Sequence, residues 1–245
     1  MRSAKHRPSR LAAAAATFAT ALLLSGCAGD AEPSFTERGY PTAPPQELPE
    51  AAGTDADVPL TELVDPDWLS ATAERTSIDP RVVAAYAGAS IRVAQTTPDC
   101  GIGWNTLAGI GRVESYHGTI YGSEVADDGS ITPPIIGIPL DGTNGTLEIP
   151  DTDGGALDAD IKWDRAVGPM QFIPSTWAEF GQDANLDGTA DPNQLDDAVL
   201  TAAVYLCERG GELVSDDGWN TAVSAYNLPV EYARDVAAYA RMYAE

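Results

Sequence analysis

"LAGIGRVESYHG", residues 107–118, is the stretch on which the reading of this chain turns. Helical spacing puts Leu107, Ile110 and Glu114 on one face, because side chains three, four and seven apart stack above one another. A carboxylate on an otherwise apolar stripe must be paired, exposed at a groove, or kept partly protonated by its surroundings. An unperturbed glutamate, with a pKa of ~4.3, is ionised at neutral pH, and burial raises that value because desolvation penalises the charged form.

The sequence on either side is mostly helical in pattern. "IDPRVVAAYAGASIRVAQ" starts with Asp79 as N-cap and Pro80 at the first helical position, and carries Val82, Tyr86 and Val93 on one side. "DDAVLTAAVYLCERGG" starts at Asp196 and stops at Gly210. "EYARDVAAYARMYAE" spaces Tyr232, Val236, Tyr239 and Tyr243 as an aromatic packing stripe. Between His117 and Lys162 the pattern breaks into short β-branched runs punctuated by Gly, Pro and Asp, which predicts turns and a small hairpin. An insertion of this length inside a compact domain is usually functional or disordered, and its place directly after Glu114 favours function. The expectation is a mainly α domain over residues 66–245 with an irregular or small β insertion.

The N-terminal part reads differently. Arg2, Lys5, Arg7 and Arg10 precede the apolar run "LAAAAATFATALLL", which is shorter than the ~20 residues of a spanning helix. Residues 1–26 therefore read as an export signal, and "LSGC" ending at Cys27 as a lipidation site. The protein is expected to be an exported lipoprotein on the outer face of the cytoplasmic membrane. Residues 27–65 hold six prolines among acidic and small residues, and read as a disordered tether with a reach of ~100 Å.

Charge and composition exclude several chemistries. The chain carries 37 acidic and 14 basic residues, a net charge of −23. Such a surface repels phosphates, so nucleic acid is not an expected partner. Without the signal, His117 is the last histidine, too few for an H-E-x-x-H zinc site, and no G-x-S-x-G elbow is present. Cys100 and Cys207 remain once Cys27 is lipidated. In an exported protein they read as one disulfide, the other reading being two buried thiols.

"GRVESYHG" followed by "RAVGPMQFIPSTWAEFG", the "YLC" helix and the late "SAYN" resembles the lytic transglycosylases. The nearest branch is the membrane-bound type B group with its actinobacterial lipoprotein relatives, of lysozyme-like fold. The resemblance implies a monomer acting on peptidoglycan glycan strands without a catalytic cofactor. Glu114 would be the catalytic residue, acid and then base, with 1,6-anhydro-muramic acid as product. It also implies that Gln171, Tyr226 and Asn227 contact substrate, with Ser115 beside the catalytic residue. On local chemistry Asn227 reads equally as a left-handed helix cap, and Ser115 as the end of its helix. His117 reads as a surface imidazole or a substrate contact.

"DANLDGTADPNQLDDA", residues 183–198, opens like an EF-hand loop, with Asp183, Asn185, Asp187 and the Thr189 carbonyl as oxygen ligands. Gln194 stands where a bidentate glutamate belongs; the resemblance to the type B enzymes, whose similar loop has an acidic residue further on, implies Asp197 in that place. A structural Ca2+ or Na+ site and a metal-free Asx turn both satisfy this pattern. For the chemistry, a hydrolase would need a second carboxylate, for which Asp153, Asp160 and Asp164 are the candidates. A wall-binding lipoprotein without activity is the third reading.

Overall fold

Aspartate followed by proline sets where the first helices begin. The Asp65 carboxylate accepts backbone N–H bonds ahead of α1 (Pro66–Thr76), and Asp79 does so ahead of α2 (Pro80–Thr96). Residues 82–91 of α2 are all buried, as expected of a helix that is apolar on every side. It packs against α1, α3 (Trp104–Ser115) and α5 (Leu195–Gly210). Alongside α3 runs α7 (Val230–Ala244), and α6 (Asp216–Tyr226) lies on α5. Trp104, Trp219, Tyr86, Leu107, Ile110 and Leu206 fill the centre. The computed structural model describes residues 33–55 and 57–245; the export signal and Cys27 lie outside the described residues. No described helix is long and apolar enough to cross a membrane.

The insertion after α3 forms two small antiparallel pairs. β1 (Glu124–Val125) pairs with β2 (Ile131–Thr132), and β3 (Ile136–Pro139) with β4 (Arg165–Val167). Between β3 and β4 the chain makes a hairpin in which Asp141 lies opposite Glu148, with Asn144 and Gly145 at its tip in the left-handed region. After β4, Val167 and Phe172 exchange backbone hydrogen bonds of 2.8 and 3.0 Å, closing residues 168–171 into a tight turn. Gly168 has φ +74°, and a Cβ there would collide with the Pro192 carbonyl. Short α4 (Pro174–Phe180) follows. The expected disulfide is present, joining Cys100 before α3 to Cys207 in α5 across a sequence separation of 107.

One expectation is corrected. From residue 33 the supposed tether is a strap packed onto the helices. Tyr40 donates to the Leu228 carbonyl at 3.1 Å, and the carbonyls of Pro41 and Pro45 each accept from a side-chain amide, Asn220 and Asn105, at 2.8 Å. Gln46 Oε1 accepts from the Gly103 amide and the Thr106 hydroxyl, and the Glu47 carbonyl from the Trp104 amide, at the otherwise uncapped start of α3. Further on, Leu60, Leu63 and Val64 join the core. Composition counts what a segment can bury by itself. This one is ordered by polar side chains that other elements supply, with its prolines lowering the entropy lost on docking.

Candidate active site

Glu114 lies in the last turn of α3. The helix stops because Tyr116, His117 and Gly118 all take left-handed conformations, with φ of 52°, 63° and 84°. The amides of Tyr116 and His117 turn back onto the carbonyls of Arg112 and Gly111. Ser115 is fully buried: its hydroxyl donates to the Pro169 carbonyl at 2.6 Å and accepts from the Gly118 amide at 2.8 Å. It is therefore not a substrate contact. It fastens the end of α3 to the 168–171 turn.

His117 is corrected too. Its imidazole sits between Tyr86 of α2 and Tyr243 of α7, each hydroxyl 3.0 Å from a ring nitrogen. A Cβ at Gly111 would collide with the Tyr86 hydroxyl, so only glycine leaves room for this contact. Burial, with the Arg112 charge adding to it, pushes the His117 pKa down to about 4. It is a neutral strut joining three helices.

The half-buried Glu114 carboxyl accepts a hydrogen bond from Tyr232 of α7 at 2.5 Å. Burial pushes its pKa up to about 7, against the lowering effect of the Tyr232 bond. Of the three alternatives for a carboxylate on an apolar stripe, the third holds. Tyr232 belongs to the stripe that reads from sequence as packing; its place opposite Glu114 arises only when α7 docks on α3. Tyr226 is close enough to Glu114 for the carboxylate to help burial raise the phenol's pKa well above its usual value. The Tyr226 hydroxyl donates to the Met170 carbonyl at 2.6 Å, and its ring meets Phe172 and Tyr205 edge-on.

Tyr226 also forms part of the wall of a cavity of about 570 Å³. It is lined by residues of the 140–149 hairpin, by Gln171 and Phe172 of the tight turn, and by residues 225–229. Gln171 and Asn227 thus come together there; Glu114 is not among the lining residues and is linked to the cavity only through Tyr226, whose phenol feels its charge. Asn227 has φ −151° and is extended, which removes the reading as a left-handed cap. Gln171 has φ +50° and donates to the Gly168 carbonyl at 2.9 Å, so the turn holds its amide in place.

The other acidic candidates are bound locally. Asp164 accepts from the Thr152 amide and hydroxyl, Asp153 from the amides of Gly155 and Leu157, and Asp160 from those of Lys162 and Trp163. None of the three lines the cavity. In the EF-hand-like loop, Asp183 accepts from the amides of Asp187 and Gly188, Asn185 from that of Asp187, and Asp187 from that of Thr189. Asp197 is fully buried and accepts from Ala184, Asn185 and Asp191; burial and the Asp183 charge outweigh these bonds and leave its pKa at about 6. Gln194 caps α5 by accepting the Asp197 amide at 3.0 Å, so it is not a twelfth ligand. The donors are all oxygen, the kind a hard cation takes, but Asp183, Asp187 and Asp197 do not converge as a cluster of carboxylates and each accepts from backbone amides of the loop.

Residues 156–240 match the family model of the transglycosylase SLT domain. This SLT stretch holds the 168–171 turn, Tyr226, Asn227 and Tyr232, and it begins after Glu114. It supports a place in the lytic transglycosylase and lysozyme-like superfamily, and the fold is the mainly α, lysozyme-like one with a small β insertion. No curated protein matches the chain.

Proposed function

We propose that the protein is a peptidoglycan lytic transglycosylase that cleaves the β-1,4 bond between N-acetylmuramic acid and N-acetylglucosamine, with Glu114 as its one catalytic carboxyl group. The observation that carries this reading is a glutamate with a pKa of about 7, bonded to Tyr232 and near enough to Tyr226, a cavity-lining residue, to affect its phenol. Near neutral pH such a group holds a proton in part of the population and releases it readily.

In the first step the Glu114 acid protonates the bridging oxygen. The bond from C1 to that oxygen breaks with its electron pair going to the oxygen, and an oxocarbenium-like centre forms at C1. Glu114, now ionised and held by the Tyr232 hydroxyl, takes the proton of the muramic C6 hydroxyl while O6 bonds to C1. The product is a 1,6-anhydro ring, and Glu114 is again protonated. An intramolecular nucleophile at high effective molarity takes the place of a positioned water and of the carboxylate that would activate it. Gln171 and Asn227 supply uncharged donors and acceptors suited to hydroxyl and acetamido groups.

A hydrolase on the same fold is the competing reading. The local bonding of Asp153, Asp160 and Asp164 speaks against it, since each carboxylate is taken up by backbone amides and side chains of its own loop. Mass spectrometry of digested wall separates the two: products one water lighter than the reducing sugars support the transglycosylase, and reducing ends overturn it. Glu114→Gln should abolish release; unchanged turnover in that variant would remove Glu114 as the catalytic group, and no turnover by the wild type would leave a wall-binding lipoprotein as the better description. The reading includes export, with lipid on Cys27 at the outer face of the cytoplasmic membrane, and a structural Ca2+ or Na+ in the 183–197 loop. A thermal shift on adding Ca2+ to chelator-treated protein checks the ion.

A further inference from the structure

The cavity lined by Tyr226 is built from uncharged residues. The chain carries 37 acidic and 14 basic residues, yet among the described residues no charged side chain lines this space. Strand alternation accounts for part of this: Leu147 and Ile149 line the cavity, whereas Glu148 between them and Asp141 opposite it do not. Leu147 and Leu228 both line the cavity, 65% and 66% exposed. Large apolar side chains left open at one cavity mark a binding surface. The polar lining groups, among them Gln171, Asn227 and Thr146, are amides and hydroxyls. A carboxylate entering there would lose hydration and meet no cation, inside a molecule of net charge −23.

We propose that the cavity is a charge-excluding subsite with the hairpin of residues 140–149 as its specificity wall, admitting uncharged repeats of the glycan in preference to repeats whose peptide substituents bear free carboxylates. This rests on the peptidoglycan reading above and adds which form of that polymer is cleaved. Selectivity of this kind arises from the penalty imposed on the disfavoured ligand, because a desolvated carboxylate finds no partner.

The test compares two portions of one purified wall preparation, one untreated and one with its carboxylates converted to amides by carbodiimide and ammonium. Soluble product is measured at low and high salt. The amidated wall should be cleaved faster by about fivefold or more at both salt concentrations. Leu147→Arg, which puts a cation at the cavity, should bring the two rates together. Met242→Arg adds the same charge at an exposed position of α7 outside the cavity and should leave the preference intact. Equal cleavage of both walls by the wild type overturns the proposal. So does a preference that disappears at high salt, because salt screens the repulsion of the whole molecule but not desolvation inside a cavity. Cleavage of neither wall has a different meaning: the catalytic reading fails, and this inference with it.

Discussion

The Glu114 proton has consequences for both rate and stability. In the proposed reaction the first step needs the protonated acid, so kcat/KM for wall cleavage should fall as pH rises through about 7. Tyr232 donates to the carboxylate and favours its charged form. Tyr232→Phe should therefore move that falling limb to higher pH while lowering the maximal rate, which a pH series on both proteins would show. Stability follows the same linkage. The folded protein favours protonated Glu114, so this contribution is present below the unfolded value of 4.5 and is lost as pH rises through about 7. His117 acts in the opposite sense: its contribution is present above 6.5 and is lost as pH falls toward about 4. Over the shared window the two oppose each other. Glu114→Gln should accordingly be more stable than wild type at pH 8, by on the order of 2 kcal/mol. Between pH 7 and 5 it should lose stability more steeply than wild type does, and urea denaturation at several pH values checks both outcomes. At this scale the motif singles out Glu114, Gln171, Tyr226 and Asn227 as candidates, and the structure brings Gln171, Tyr226 and Asn227 to one cavity. The places of Ser115 and His117 were not legible, since a hydroxyl or an imidazole near a candidate catalytic group reads the same whether it faces a ligand or a neighbouring carbonyl.

Helix boundaries and stripes were legible because they depend on neighbours close in sequence. Asp79 and Pro80 start α2, and the apolar pattern of α5 ends at Gly210. The partner of each stripe was not legible. The tyrosines of α7 are a packing stripe in isolation; docking against α3 turns Tyr232 toward Glu114 and Tyr243 toward His117. The insertion read correctly as turns with a small hairpin, but the place of its 140–149 hairpin as a cavity wall depends on the pairing of β3 with β4. The disulfide also acts between elements, tying the loop before α3 to α5. In the chain-entropy model, replacing Cys100 and Cys207 by alanine should cost about 3–5 kcal/mol, measured as a lower denaturant midpoint. Loss of activity in proportion to unfolding, with an unchanged pH profile in the folded fraction, would mark its role as stability alone.

For the molecule as a whole, the strap makes residues 33–64 part of the fold. Asn105 holds it from a fully buried position, donating to the Pro45 and Ala240 carbonyls and accepting from the Glu47 amide. Asn105→Ala strands three backbone groups at once and should destabilise by about 2–4 kcal/mol, with new protease cleavage near residues 40–50. A loss under 1 kcal/mol and no new cleavage would mean that the strap contributes little. The sequence by itself determined the mainly α character, the start of α2, the end of α5, the irregular insertion and the pairing of two cysteines, and it singled out Glu114 as a candidate, because these follow from short-range pattern, composition or motif. The tertiary structure alone decided the docked strap, the Tyr232 bond to Glu114, the neutral His117 strut and the uncharged cavity. Each of these brings together groups distant along the chain, and burial and hydrogen bonding between such groups have no signature in local sequence.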